Sequence, residues 1–202
     1  KVIQLTSCVP REGKTLISAN LALALSDAGR KVLLIDGDFQ RAGLYAWFRI
    51  RREAGLFQVL AGEAEPAEVI WRGTSTSLSV MPSGRTKGAS HRIFEASDLK
   101  RVIDSVKDGY DYVIVDSPPI LVISDPLVWS QCMDGVFFVV DVQQVDSGML
   151  RQAVEKLNDL KVPILGVILN RMTRHHRYYY YGYSKKYGYY YQGRSGEKAE
   201  SA

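Results

Sequence analysis

The sequence predicts an α/β fold, a doubly wound, mostly parallel sheet with helices on both faces, followed by a flexible C-terminal tyrosine-rich tail. Three observations predict it. Short, continuously apolar runs alternate with segments of helical periodicity, the pattern of strands buried on both faces. The first run feeds directly into Gly13-Lys14-Thr15 at a strand-to-helix junction. After Asn170 the periodicity gives way to Arg, His, Tyr, Gly and Ser, which cannot form a packed core. The expected division is a folded domain over residues 1–170 and a basic, disordered tail over residues 171–202.

The elements follow in order. Strands are expected from Val2 to Leu5, Val32 to Ile35, Leu78 to Met81, Tyr112 to Val115, Val136 to Val140 and Ile164 to Leu169. Between the first two, Leu16, Asn20, Leu21, Leu23, Ala24 and Ala28 recur at helical spacing, and Gly29 stands where a helix stops. Ser147 to Leu160 repeats the pattern through Leu150, Val154 and Leu157, with Ser147 as the expected N-cap. No internal repeat is present.

With 202 residues, 46% hydrophobic and 24% charged, the chain is long enough for one well-packed core. Of 26 basic residues, seven lie from Arg171 onward, against two of the 22 acidic ones. That leaves 19 basic and 20 acidic residues before position 171, so the net charge of +4 belongs to the tail. No nucleic-acid partner is expected for the folded part, whereas the tail suits an anionic surface or an acidic cleft. Cys8 and Cys132 have no metal-ligand spacing and imply no disulfide framework, so a reducing compartment is expected. No apolar stretch reaches the ~20 residues that span a bilayer. The chain opens on Lys1 just before a core strand, which reads as a fragment and leaves membrane segments upstream open.

The chemistry-bearing residues sit at strand ends, where ligands of parallel sheets bind. Pro10-Arg11-Glu12-Gly13-Lys14-Thr15 offers backbone N–H groups, a lysine charge and a hydroxyl for Mg²⁺, although Cys8 occupies the first glycine position of the strict phosphate-loop pattern. Asp36 and Asp38 are two residues apart, so in extended backbone they point the same way. They can hold a hydrated Mg²⁺ and accept a proton, or form a polar turn. Asp116-Ser117-Pro118-Pro119 has the form of a Walker B carboxylate or of a strand-end turn. The tail holds nine of the twelve tyrosines, Tyr178, Tyr179, Tyr180, Tyr181, Tyr183, Tyr187, Tyr189, Tyr190 and Tyr191. They read as phosphate acceptors or as a sticky low-complexity tail.

These motifs resemble those of the bacterial tyrosine kinases (BY-kinases) of exopolysaccharide and capsule synthesis, deviant P-loop NTPases related to MinD and ParA. Ser7 to Thr15 is similar to the family's Walker A, Val32 to Arg41 to its Walker A-prime and Val113 to Pro119 to its Walker B. The resemblance implies an ATP- and Mg²⁺-dependent kinase that phosphorylates its own tyrosine cluster and regulates polysaccharide polymerisation and export. It implies nucleotide contacts from Arg11, Glu12, Gly13, Lys14, Thr15, Leu16, Asn170 and Arg171, with Asn170 at adenine. Thr15, Asp38 and Asp116 become the metal set, Asp36 the candidate base, and Lys14, Asp36, Asp38 and Asp116 the catalytic set. Implied partners are a membrane polysaccharide co-polymerase, on the same chain or separate, a tyrosine phosphatase and further copies in a ring, at the inner face of the plasma membrane.

The chain departs from the pattern at three places. Arg11 stands at a usual glycine, Gln40 at a usual arginine, and the Asn-Pro motif tied to ring assembly is blurred in Ala89 to Asp98. Two other readings stay open: a MinD- or ParA-like ATPase switch, and a catalytically weak regulator acting by assembly. Val9 occupies the place of the switch ATPases' second lysine and favours the kinase.

Overall fold

A computed structural model of the chain describes residues 1–50, 53–74, 76–86 and 94–173. Residues Lys1–Asn170 form one compact unit. Its sheet has seven strands: β1 (Val2–Ser7), β2 (Val32–Asp36), β3 (Trp71–Arg72), β4 (Leu78–Met81), β5 (Tyr112–Asp116), β6 (Gly135–Asp141) and β7 (Ile164–Asn170). Their order is β3-β4-β2-β5-β1-β6-β7, and every pairing is parallel except β3 with β4. All six expected strands are present, because the central ones are apolar on both faces. In β2, Val32 and Leu34 join one buried cluster while Leu33 and Ile35 join another.

The helices are α1 (Lys14–Asp27), α2 (Leu44–Trp47), α3 (Leu56–Leu60), α4 (Pro66–Val69), α5 (Ala96–Val106), α6 (Asp125–Ser130) and α7 (Ser147–Asp159). α1 buries Ala19 and Ala22 against Leu5, Leu34, Ile114 and Val139. The opposite face carries two clusters, one with Leu99 and Ile103 of α5 and Trp129 of α6, the other with Ala153 and Leu157 of α7. α1 ends at Asp27, and the Gly29 amide donates to the Ser26 carbonyl, so the expected stop holds. At α7 the cap differs from expectation. Asp146, not Ser147, precedes the helix, and its carboxylate accepts from the Met149 amide at 2.8 Å, satisfying a first-turn N–H that Ser147, already helical, cannot reach.

Strand order positions the site. β1 lies between β5 and β6, and β2 is on the far side of β5, so the chain after β1 emerges beside Asp116 and Asp141, with Asp36 in register with Asp116. Among the described residues no helix is long and apolar enough to cross a membrane.

Candidate active site

The phosphate loop runs from Cys8 to Gly13 and hands over to α1 at Lys14. Gly13 is required twice. Its φ is +89°, a left-handed conformation, and a Cβ there would overlap the Asn170 carboxamide. Arg11 also sits at positive φ, +71°, and is exposed. The glycine-to-arginine departure therefore falls where a side chain strains the backbone, by about 1 to 2 kcal/mol. Arg11→Gly is expected to raise stability by about 1 kcal/mol, a melting shift of about 2–4 °C, measurable by calorimetry.

The first turn of α1 contains no acidic residue and has no side-chain cap, leaving its N-terminal dipole open to an anion. Glu12 makes no such contact through its side chain. It is fully buried, its carboxylate accepting from the amides of Val9 at 2.7 Å and Asp141 at 2.9 Å. Burial raises its pKa above the usual carboxylate range. Asn170 Nδ2 donates to the Glu12 carbonyl at 2.8 Å, and Gln144 Nε2 to that of Pro10 at 3.2 Å. The loop is thereby fastened to the ends of β6 and β7.

The acids converge as expected, with different surroundings. Lys14 Nζ lies 3.3 Å from Asp38 Oδ2, and the pair is almost entirely buried. Asp38 Oδ1 accepts from the Arg41 amide at 2.8 Å. Asp116 Oδ1 accepts from Ser18 Oγ at 3.3 Å, while its buried Oδ2 has no hydrogen-bond partner. Burial pushes Asp116 up to about 6, against the pull of Lys14 and the Thr15 hydroxyl.

Asp36 is fully buried. Its Oδ1 accepts from the Asp38 amide at 3.2 Å, and its Oδ2 from those of Gly43 at 3.1 Å and Leu44 at 3.2 Å. Burial, then the Asp116 charge, raises it to about 7. Base action by Asp36 requires those amides to release it.

Both raised acids bind protons more tightly in the folded chain than in the unfolded one. Their ionisation therefore costs stability as pH rises from about 4 to about 7. Metal-free protein is expected to melt at a lower temperature at pH 8 than at pH 5.5, and Asp116→Asn to flatten that slope; scanning calorimetry in EDTA checks both.

An orphaned buried carboxylate oxygen, an uncapped helix start and a glycine that leaves no room for a side chain fit a nucleotide with its metal. Among the described residues no group of three His, Cys, Asp or Glu side chains could hold a metal ion unaided. Mg²⁺ does not need one, since it keeps several waters and takes one or two carboxylates together with phosphate oxygens.

Leu16 is exposed on the first turn of α1. Arg171 follows Asn170 with φ +54°. Tyr178 to Tyr191 lie outside the described residues. A surface hollow of about 540 Å³, lined in part by Lys31, Arg72 and Tyr110, lies at the other ends of the strands and contains none of these site residues. Sequence reasoning missed Ser18, whose only signal is its place four residues after Lys14. It also missed Trp129, whose ring lies so close to Gly37 that a Cβ there would overlap it.

A family model described as an AAA domain matches residues 2–160. Over 184 residues the chain is 30% identical to the tyrosine-protein kinase YwqD of Bacillus subtilis, covering 90% of this chain and 78% of that protein. It is 29% identical to the putative tyrosine-protein kinase EpsB of Ralstonia solanacearum, covering 94% of this chain and 25% of that one, so it spans about a quarter of that longer relative. Among solved structures, the kinase domain of Escherichia coli tyrosine kinase ETK aligns with TM-score 0.78 at 26% identity, over 85% of this chain and 69% of that one. The MinD protein of Pyrococcus horikoshii, complexed with Mg-ADP, aligns with TM-score 0.74 at 28% identity, over 86% and 71%. Phosphate loop, sheet order and relatives agree: the chain belongs to the AAA-domain family of P-loop ATPases, among the bacterial tyrosine kinases.

Proposed function

We propose that the chain is an ATP- and Mg²⁺-dependent protein-tyrosine kinase that phosphorylates its C-terminal tyrosines between Tyr178 and Tyr191. The observation that carries this reading is the meeting of Lys14 with the buried acids Asp38 and Asp116, one carboxylate oxygen unpartnered, at the uncapped start of α1. Bound Mg·ATP supplies the phosphoryl group and neutralises part of its charge.

The chain's own residues do the positioning on which phosphoryl transfer mainly depends. Loop and α1 amides would receive the phosphates, and Lys14, now paired with Asp38, would supply the phosphate-facing charge. Thr15 would ligate the metal, and Asp38 and Asp116 would hold its waters. Arg11, exposed on the loop, would contact the phosphates, and Asn170 would contact adenine. Glu12 serves through its backbone. Asp36 keeps the turn from Asp38 to Leu44 folded over the acids.

In this reading the domain acts beside a membrane polysaccharide co-polymerase at the inner face of the plasma membrane, assembles with further copies and is reset by a tyrosine phosphatase. Incubation with γ-labelled ATP and Mg²⁺, followed by peptide mapping, is the test. Label should appear on tyrosines 178–191. ATP hydrolysis without phosphotyrosine would instead select the MinD-like switch.

A further inference from the structure

Neither Asp36 nor Asp38 presents an open carboxylate oxygen to an incoming tyrosine. Asp36 is fully buried with both oxygens engaged by backbone amides, and Asp38 is buried against Lys14. An incoming hydroxyl must instead meet a carboxylate within hydrogen-bond reach that is open to a peptide.

α6 supplies one. Asp125 is its first residue, half-buried, at the carboxyl end of the sheet where the chain leaves β5. The helix is seated at two points. The Trp129 ring lies against Gly37 and makes an edge contact with Phe39 at 5.8 Å between centroids. The Pro126 carbonyl accepts from Gln4 Nε2 at 3.0 Å. Residues four apart share a helix face. Since Trp129 faces residues 37 and 39, Asp125 lies one turn away on that same face, beside Asp38. The electrostatics agree, because burial and then the Asp38 charge raise the Asp125 pKa. The Asp38 charge also bears on Asp116, whose Oδ2 is buried and unpartnered. Asp125 therefore borders the place where phosphate and metal sit in the proposed function, and is more open to solvent than the other three acids.

We infer that Asp125 is a further catalytic residue, the carboxylate that accepts the hydrogen bond of the incoming tyrosine hydroxyl. The inference rests on the kinase reading above. In the transfer, the phenolic oxygen forms a bond to the γ-phosphorus as the bond from that phosphorus to the β,γ-bridging oxygen breaks. The phenolic proton passes to the Asp125 carboxylate, and ADP leaves with the electron pair of the broken bond. Asp125 returns the proton to solvent through its exposed side.

A carboxylate at a helix start also interacts with the helix dipole, and a purely structural role would affect stability alone. The N-cap of α6 is Ser124, so Asp125→Asn and Asp125→Ser remove the charge without altering the capping residue. In the full chain, three quantities separate the roles: melting temperature, affinity for a fluorescent Mg·ADP analogue, and the rate of phosphotyrosine formation on an added tyrosine peptide. Both variants should lose about 100-fold or more in transfer, with nucleotide affinity within about threefold of the parent. Asp125→Glu, which restores a carboxylate, should recover part of the rate. Asp36→Asn should differ from all of these, since its carboxamide sets an N–H₂ against at least one of the backbone amides that now donate to the two carboxylate oxygens and loosens the turn; melting temperature and nucleotide affinity should fall together. Undiminished transfer in Asp125→Asn and Asp125→Ser would overturn the inference, as would a matching loss of nucleotide affinity. A parent chain that binds Mg·ADP yet makes no phosphotyrosine would overturn the kinase reading instead, and the inference with it.

Discussion

Replacing Lys14 with methionine is expected to lower phosphotyrosine formation by at least about 10³-fold, because one preorganised charge on a transferring phosphoryl group is worth several kcal/mol in a water-poor site. The geometry adds a second consequence. Lys14 is the cation paired with buried Asp38, and its charge helps hold down the pKa of Asp116. Methionine preserves side-chain length but leaves the acids uncompensated, so melting temperature should drop at pH 8 and recover partly toward pH 6, where Asp116 takes up a proton. Peptide phosphorylation and calorimetry at the two pH values check both. Transfer within about tenfold of the parent would mean that this loop does not hold the phosphates.

Gly37→Ala should be among the most damaging single changes outside the loop, at about 3 kcal/mol or more. No rotamer relieves it, because the clash is between a Cβ and the ring of buried Trp129. Either α6 or the segment from Asp36 to Asp38 must move, and both carry residues of the site. Chemical denaturation should therefore show lost stability together with lost nucleotide affinity. Trp129→Ala creates a cavity and is costly alone, but in combination it should rescue part of the Gly37→Ala loss. A double-mutant cycle with no coupling would place the strain elsewhere.

The central strands and the helices α1 and α7 were legible in the sequence, although in α1 the expected periodic positions Leu16, Asn20, Ala24 and Ala28 are exposed and the buried face is instead Ser18, Ala19, Ala22 and Ser26. β2 and β5 are almost entirely buried, which makes them continuously apolar runs. β3 was not legible. It is a two-residue antiparallel partner with both residues exposed, too short to carry an alternation. α2, α3 and α4 have four or five residues each, below the length at which a helix stabilises itself, and they exist through packing of Leu44, Leu56 and Val69.

In the site, the residue types and strand-end positions were readable, whereas side-chain directions were not. Glu12 turns inward because Arg11 and Gly13 on either side of it adopt left-handed backbone. Asp36 is wrapped by amides seven and eight residues further on, a contact set by the fold of that turn. Asp125 stands nine residues beyond Asp116, and which face of a six-residue helix it shares became visible only through Trp129.

The bond from Asn170 to the Glu12 carbonyl has a mechanical meaning. Asn170 is the last residue of β7, so the chain that continues into the tyrosines is strung from the same residue whose side chain clasps the phosphate loop. β7 is an edge strand, hydrogen-bonded to β6 alone, and edge strands peel more readily than central ones. Asn170 thus carries two connections at once, the covalent one to the residues that follow and the hydrogen bond to the phosphate loop, and removing its carboxamide would leave the first intact while cutting the second.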